Sequence, residues 1–264
     1  MRFVEKKEDA DIILVGFPVD QGTENKGCLD APFEIRNSFE NFYFSETGEM
    51  KNIFDSSDTV EGENFGETMN RIKTKISKLL ENNKPIISIG GNHSITLPII
   101  QGFSEKKYDI GIVFIDAHPD SQKNYFPFGD VIPKIVEQKI PIVMIGLRNW
   151  SQDEYNFLIE NKIPFIHAKD FELNKALQLI KNEFDGKQIY VSLDIDAIDP
   201  GFAPGTGCIE PCGLTSRDVL ELIKKIDNKI GFDLVEINPG KDINNITINL
   251  GAKLIFEIAN NWKS

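Results

Sequence analysis

Three short stretches combine carboxylates with histidines in positions where metal ions could be bound. GGNHS, FIDAHPD and SLDIDAIDP each come at the end of an apolar run. Side chains two residues apart lie on one face of an extended chain, so acids and histidines with that spacing point together. The stretches supply six candidate metal ligands: His93, Asp116, His118, Asp120, Asp194 and Asp196.

A cluster of this composition is difficult to keep together without cations. Neighbouring carboxylates repel one another and raise each other's pKa, and bound divalent ions remove that conflict. Imidazole and carboxylate ligands suit manganese, iron or zinc, and a majority of carboxylates favours manganese. Shared carboxylates can hold two ions about 3.5–4 Å apart with a polarised water between them. We therefore predict two Mn²⁺ ions per subunit.

Each stretch also has an ordinary structural interpretation. Aspartates before alanine or proline often begin turns, and a strand-end histidine is commonly a hydrogen-bonding residue. Metal binding is favoured because three such strand ends occur in one chain, and because two of its three histidines fall within them.

The elements that must position these side chains are indicated by alternating apolar runs and helical stripes. Short, continuous, β-branched runs are typical of strands buried on both faces. Between them, residues 65–82, residues 215–227 and the stripe from Leu250 to Ile258 have helical spacing. This alternation predicts a parallel sheet covered by helices on both sides, with ligands at the carboxyl ends of its strands, in one domain over residues 1–264. The predicted strands begin near Ile12, Asn52, Pro85, Gly111, Pro141, Ile163, Ile189 and Gly231.

Composition narrows the classes of partner. The net charge of −12 argues against nucleic acid and is compatible with a small cationic substrate. No apolar stretch approaches the roughly 20 residues that cross a bilayer, and nothing resembles a secretory signal. Three cysteines do not suggest a disulfide framework, and Cys208 and Cys212 lack the second pair that a zinc site needs. We expect a cytoplasmic protein with free thiols that binds neither nucleic acid nor membrane.

Further motifs strengthen the pattern and resemble those of a known family. Besides the three stretches above, the chain contains GFPVDQGT, APFEIR, PGTG followed by GL, and VEINP, in this order along nearly its whole length. Together these resemble the signatures of the ureohydrolase (arginase/agmatinase) family. The resemblance implies a three-layer α/β/α fold with an eight-stranded parallel sheet. It also implies a dimanganese centre that hydrolyses a guanidino C–N bond to give urea and an amine, in a homo-oligomer, either a trimer or a hexamer.

The resemblance also implies roles for individual residues. One manganese would be held by His93, Asp116, Asp120 and Asp194, and the other by Asp116, His118, Asp194 and Asp196, so that Asp116 and Asp194 bridge. Asp120 would accept a proton from the attacking water. Glu236, in VEINP, would pair with the cationic guanidinium of the substrate.

The sequence departs from the family pattern at several places. Asn92 replaces the usual aspartate of GGDHS, and Lys26 stands near the position of a usual arginine. The loop histidine that gives a proton to the leaving amine is missing from residues 121–140, where Phe128 or Gly129 takes its place. We interpret the third histidine, His167, as structural and only weakly as a substitute. Losing this general acid costs about 10²–10⁴-fold in rate.

Two differences from arginases bear on the substrate. Ser151 replaces an aspartate that helps to hold the α-amino group of arginine, and Gln122 replaces an asparagine. We expect both to contact substrate, and GLRNWSQDE resembles agmatinase sequences, which favours cleavage of agmatine to putrescine and urea. Alternatives are a formiminoglutamase, arginase or guanidino-acid hydrolase, for which a basic residue such as Lys123 would pair with the substrate carboxylate. A non-catalytic metal-binding protein, suggested by the missing histidine, also remains open.

Overall fold

The computed structural model describes residues 1–23, 26–122 and 131–263. All strands in this part of the chain pair in parallel within one sheet of order β1-β3-β2-β4-β9-β8-β5-β6-β7. The strands are β1 (Arg2–Phe3), β2 (Ile12–Phe17), β3 (Asn52–Asp58), β4 (Ile86–Gly90), β5 (Ile110–Ile115), β6 (Ile142–Leu147), β7 (Phe165–His167), β8 (Gln188–Asp194) and β9 (Lys229–Val235).

The predicted α/β fold with a parallel sheet is confirmed. Each of the eight apolar runs forms a strand, and the sheet has a ninth member, β1, which pairs with β3 at one edge. β1 is only two residues long, and both of its side chains are exposed. A strand that short leaves no apolar run in the sequence, so the prediction of eight strands could not include it.

Helices cover both faces of the sheet, as the alternation of elements predicts. Alternate side chains of each strand face opposite sides, so Ile12 and Leu14 join one core while Ile13 and Val15 join the other. Helices α1, α6, α7 and α8 contribute to the first core, and α2 to α5 contribute to the second. The helices are α1 (Ala31–Ser38), α2 (Phe65–Leu79), α3 (Thr96–Glu105), α4 (Val131–Glu137), α5 (Gln152–Glu160), α6 (Leu173–Glu183), α7 (Ser216–Lys225) and α8 (Ile246–Asn260).

The predicted helices have identifiable ends. Thr215 caps α7 in a capping box with Asp218, which satisfies backbone N–H groups of the first turn. The segment predicted as helical over residues 65–82 is α-helical to Leu79 and ends in a single 3₁₀ turn. Among the described residues, no helix has the length and apolar character needed to cross a bilayer.

The order of the central strands brings the candidate ligands to one edge. Strands β4, β9, β8 and β5 are neighbours in the sheet, so their carboxyl ends lie side by side. Immediately after β4 the chain passes Gly91, where a Cβ atom would lie 2.1 Å from the carbonyl oxygen of Val19. Only glycine allows this close approach, which lets the chain turn sharply towards His93.

Candidate metal centre

Three strand ends place the predicted ligands, and short hydrogen bonds to backbone N–H groups fix the directions of two of them. Asp116 directly follows β5, and its Oδ1 accepts a hydrogen bond from the backbone N–H of His118 at 2.7 Å. Asp194 ends β8, and its Oδ1 accepts from the backbone N–H of Asp196 at 2.8 Å. Each aspartate therefore holds the turn that carries the candidate ligand two residues later.

The first group of ligands surrounds the ring of His93. Its Nδ1 lies 3.1 Å from Asp116 Oδ2, 3.2 Å from Asp120 Oδ2 and 3.3 Å from Asp194 Oδ2. His93, Asp116 and Asp194 are all buried, and one donor atom from each lies within 4.8 Å of the others. These three residues form a candidate metal triad, and Asp120 lies against it.

A second triad adjoins the first and shares Asp116. His118 Nδ1 lies 3.1 Å from Asp196 Oδ2 and 3.7 Å from Asp116 Oδ1. Asp116, His118 and Asp196 again have donor atoms within 4.8 Å of one another. The structure therefore brings all six sequence-predicted ligands together, with Asp116 common to both triads. Asp194 belongs to the first triad alone, and its bridging role stays a prediction.

The environment of His93 fits a metal ion. Its Nε2 lies 3.0 Å from Ser192 Oγ, and Ser192 donates to the buried carboxylate of Asp233 at 2.7 Å. Nδ1 has no hydrogen-bond partner among the described residues, although three carboxylate oxygens crowd around it. A single ring nitrogen cannot satisfy three oxygens by hydrogen bonding, whereas a cation among these four atoms would be coordinated by all of them.

Without metal ions, the buried carboxylates of the cluster repel one another, and this repulsion shifts their pKa values. Burial, with the neighbouring charge of Asp196, raises the pKa of Asp116 to about 7 and that of Asp194 well above its ordinary range. Burial acts in the same direction on Asp196, but the hydrogen bond with His118, the charge of His118 and the backbone N–H of Ala117 together outweigh it and lower the pKa. Divalent cations would compensate this concentration of carboxylates.

Glu236 reaches the same edge from the end of β9. Its backbone has a positive φ of 65°, and its N–H donates to the carbonyl of Gly91 at 2.9 Å. The carboxylate Oε1 accepts from the backbone N–H of His93 at 2.8 Å. Burial raises the pKa of this carboxyl to about 7. A strained backbone at a site of this kind is a functional signal, and it orients Glu236 towards the ligand cluster.

Besides Ser192 and Asp233, two further neighbours of the site were not predicted. Cys28 is buried with its Sγ 3.7 Å from Glu236 Oε2, and sequence analysis identified it only as a free thiol. Glu210 Oε1 lies 3.2 Å from His118 Nε2 and accepts from the side-chain amide of Asn149 at 2.6 Å. Neither residue ends a strand, which was the signal that identified the others.

The two predicted substrate contacts lie on the wall of one cavity. Gln122 and Ser151 line a space of about 470 Å³. Ser151 also has a structural role, because it caps α5 through a capping box with Glu154. The other lining residues are Ser121, Asp153, Asn156, Phe157 and Glu160.

The departures from the family pattern have local explanations where they are described. Asn92 is buried, and its side-chain amide donates to the carbonyl of Gln21 at 3.1 Å, a bond that an ionised aspartate cannot make. Lys26 Nζ donates to the carbonyl of Asp20.

The aromatic surroundings of the third histidine support its structural interpretation. His167 stacks on Trp150 with ring centroids 4.9 Å apart and meets Phe165 edge-on. Phe128 and Gly129, named for the position of the missing histidine, and Lys123 lie outside the described residues.

Comparison with known proteins adds independent findings. Residues 10–260 match the Arginase family. The chain is 31% identical to a protein named "Agmatinase, mitochondrial" from Gallus gallus, covering 95% of this chain and 81% of that protein. It is also 31% identical to a guanidinobutyrase from Pseudomonas aeruginosa, covering 94% of this chain and 85% of that one.

A solved structure resembles the whole fold. The agmatine ureohydrolase of Thermoplasma volcanium superposes with a TM-score of 0.86 at 28% identity. The match covers 98% of this chain and 92% of that protein.

Proposed function

The chain belongs to the arginase family and is a metal-dependent ureohydrolase, and from this we propose that it hydrolyses agmatine to putrescine and urea at a dimanganese centre. The observation that carries the proposal is the pair of adjoining carboxylate–histidine triads that share Asp116. A guanidinium is resonance-stabilised and a poor electrophile, so its hydrolysis needs an activated water held against the carbon.

The six clustered side chains would hold the two ions. When bound, the ions lower the pKa of a coordinated water and so supply a nucleophile near neutral pH. His93 is oriented for this task by Ser192 and Asp233, and His118 by Glu210. Such hydrogen bonds to the far nitrogen fix the tautomer and leave Nδ1 free to coordinate.

Two carboxylates would complete the reaction. Asp120, at the edge of the first triad, would orient the attacking water and accept its proton. Glu236 would pair with the guanidinium, since its Oε1 is fixed by the N–H of His93 beside the same triad. A cationic substrate favours the ionised form of Glu236, which burial alone disfavours.

The cavity beside Gln122 and Ser151 supports agmatine over guanidino acids. Among the described residues its lining includes Asp153 and Glu160 but no lysine or arginine. An acidic wall suits the distal ammonium of agmatine and repels the carboxylate of guanidinobutyrate or formiminoglutamate. We propose that Gln122 and Ser151 contact the aliphatic amine portion of the substrate.

Proton transfer to the leaving amine would proceed without the family's loop histidine. Residues 121–140 contain no histidine, and His167 is stacked on Trp150 and meets Phe165 edge-on. We expect turnover to be slower by about 10²–10⁴-fold than general acid catalysis would allow.

The test is product release from four substrates by the manganese-loaded protein: agmatine, arginine, 4-guanidinobutyrate and formiminoglutamate. Urea from agmatine alone, with a higher KM for agmatine in Asp153→Asn, is the expected result. Preferential urea release from guanidinobutyrate, or formamide from formiminoglutamate, would contradict the agmatine proposal. No product from any of the four would contradict the proposal as a whole.

Other properties stay predictions. We propose one catalytic domain over residues 1–264, because every described strand belongs to the same sheet. A trimeric or hexameric assembly is expected from the family resemblance. The cytoplasmic location is also a prediction, and the name of the Gallus gallus relative places that protein in mitochondria.

A further inference from the structure

A second cavity opens at the opposite edge of the sheet from the metal triads. Its volume is about 590 Å³, within the range of about 300–1,000 Å³ typical of small-molecule sites. Pro85, Gln188 and Lys229 line it, and these residues precede or begin β4, β8 and β9. The candidate metal ligands follow the carboxyl ends of the strands, so this basal cavity is separate from the catalytic edge.

Lys229 is the unusual residue of the basal cavity. Only 5% of it is exposed, and its Nζ donates to the carbonyl of Ile226 and lies 5.7 Å above the ring of Trp262. Within the described part of the chain, it forms an ion pair with no carboxylate. An ammonium has three N–H donors, so a buried one with a single acceptor lacks most of its solvation. Burial accordingly lowers the pKa of Lys229 to about 8.

Trp262 provides a second polar group without a partner. It is 4% exposed and lines the basal cavity, and nothing among the described residues accepts a hydrogen bond from its Nε1–H. Buried indole N–H groups usually find an acceptor. Two buried donor groups therefore meet at one cavity: an ammonium with a single acceptor and an indole N–H with none among the described residues.

The rest of the wall indicates the chemistry of the missing partner. Lys84 and Lys263 add positive charge, and the ammonium of Lys84 already donates to three backbone carbonyls. Among the described residues of the wall the only carboxylate is that of Asp227, which is paired with Lys263 at 3.1 Å. Phe103 and Tyr108 provide flat apolar surface. One unpaired ammonium between aromatic side chains suits a ligand with a single negative charge and a planar apolar body, whereas a multiply charged anion would meet Asp227 and the apolar walls.

We propose that the basal cavity binds a small aromatic carboxylate, whose anionic group pairs with Lys229 and whose ring packs on Trp262. The carboxylate supplies acceptors for the ammonium, and the aromatic wall excludes water from the pair. This site takes a ligand of opposite charge to the guanidino substrate, and its existence does not depend on the identity of that substrate.

Binding can be followed through Trp262. The chain contains two tryptophans, so Trp150→Phe leaves Trp262 as the only one, and its fluorescence reports on the basal cavity. Benzoate is the probe, with benzamide as the neutral analogue of the same shape and inorganic phosphate as an anion without a ring. We expect benzoate to quench the fluorescence of Trp262 saturably. The affinity for benzamide and for inorganic phosphate should be at least about tenfold weaker.

Two substitutions then test whether the ammonium of Lys229 pairs with the carboxylate of benzoate. Lys229→Met keeps the apolar stem and removes the ammonium, and we expect benzoate affinity to fall by about 30-fold or more. Lys263→Met is the matched control, since Lys263 lies in the same wall but its side chain is 65% exposed and already paired with Asp227. We expect the benzoate affinity of this variant to stay within about twofold of the parent's.

Three results would overturn the proposal. These are the absence of saturable benzoate binding, equal affinity for benzoate and benzamide or phosphate, and unchanged benzoate affinity in Lys229→Met. If Lys229→Met does not fold, as judged by circular dichroism, the comparison of benzoate with benzamide on the protein with native Lys229 decides the question alone.

Discussion

Replacing Asp116 by asparagine should stabilise the metal-free protein and greatly reduce its stabilisation by manganese. Asp116 belongs to both triads and is buried beside Asp194 and Asp196. Without cations, burial and the neighbouring charges raise its pKa from the ordinary 3.8 to about 7. Asparagine removes the charge and retains the oxygen that accepts from the N–H of His118.

The magnitude follows from the pKa of Asp116. Since folding raises this pKa, the folded protein binds more protons than the unfolded chain between about pH 4 and pH 7. The free energy of unfolding of the metal-free protein therefore falls as pH rises through that window and stays reduced above it. At about 1.36 kcal/mol per pKa unit, Asp116 accounts for up to about 4 kcal/mol of this loss.

Urea unfolding of chelator-treated protein, followed by circular dichroism, measures the effect. At about pH 8 the metal-free Asp116→Asn protein should be more stable than the metal-free parent by up to about 4 kcal/mol, and the difference should disappear towards about pH 4. Manganese at a hundred times its Kd should stabilise the parent by about 2.7 kcal/mol per ion and the variant far less.

Asp109→Asn is the matched control. Asp109 lies at the other end of β5 with its side chain 77% exposed, so its substitution should change stability by less than about 0.5 kcal/mol. Lower stability of metal-free Asp116→Asn than of the parent at about pH 8, or equal stabilisation of both proteins by manganese, would contradict this role of Asp116.

Three further substitutions test the surroundings of the ions and the substrate. Glu236→Gln should lower kcat/KM for agmatine by about 30-fold or more because the guanidinium loses its counter-charge, while the manganese content of the purified protein stays the same. Ser192→Ala should weaken manganese binding by about 10–100-fold, measured by calorimetry, since the ring of His93 loses its orienting partner. Glu210→Gln should weaken manganese binding less than Ser192→Ala does, because the amide oxygen of glutamine still accepts a hydrogen bond from His118 Nε2. Manganese retained during dialysis measures the difference.

Much of the fold could be predicted because buried parallel strands leave a strong signal. A run such as Ile12–Phe17 is apolar throughout since both of its faces are covered by helices. β1 left no such signal because it consists of two exposed residues that join the sheet by pairing with β3. Local propensity does not encode pairing of that kind.

The candidate ligands could be predicted because they all follow strand ends. Asp116 and Asp194 come directly at the ends of β5 and β8, which are neighbours in the sheet. Glu210 comes from a loop between distant elements, so its contact with His118 depends on the tertiary structure. The basal cavity also depends on the tertiary structure, because Lys229 and Trp262, which meet there, are 33 residues apart in the sequence.

Metal stoichiometry shows whether the chain holds a paired metal centre. The chelator-treated protein would be reconstituted with excess Mn²⁺, dialysed extensively against metal-free buffer and analysed by inductively coupled plasma mass spectrometry. The two adjoining triads predict two manganese ions retained per chain. Retention of one ion or none, with the protein folded by circular dichroism, would contradict a paired metal centre.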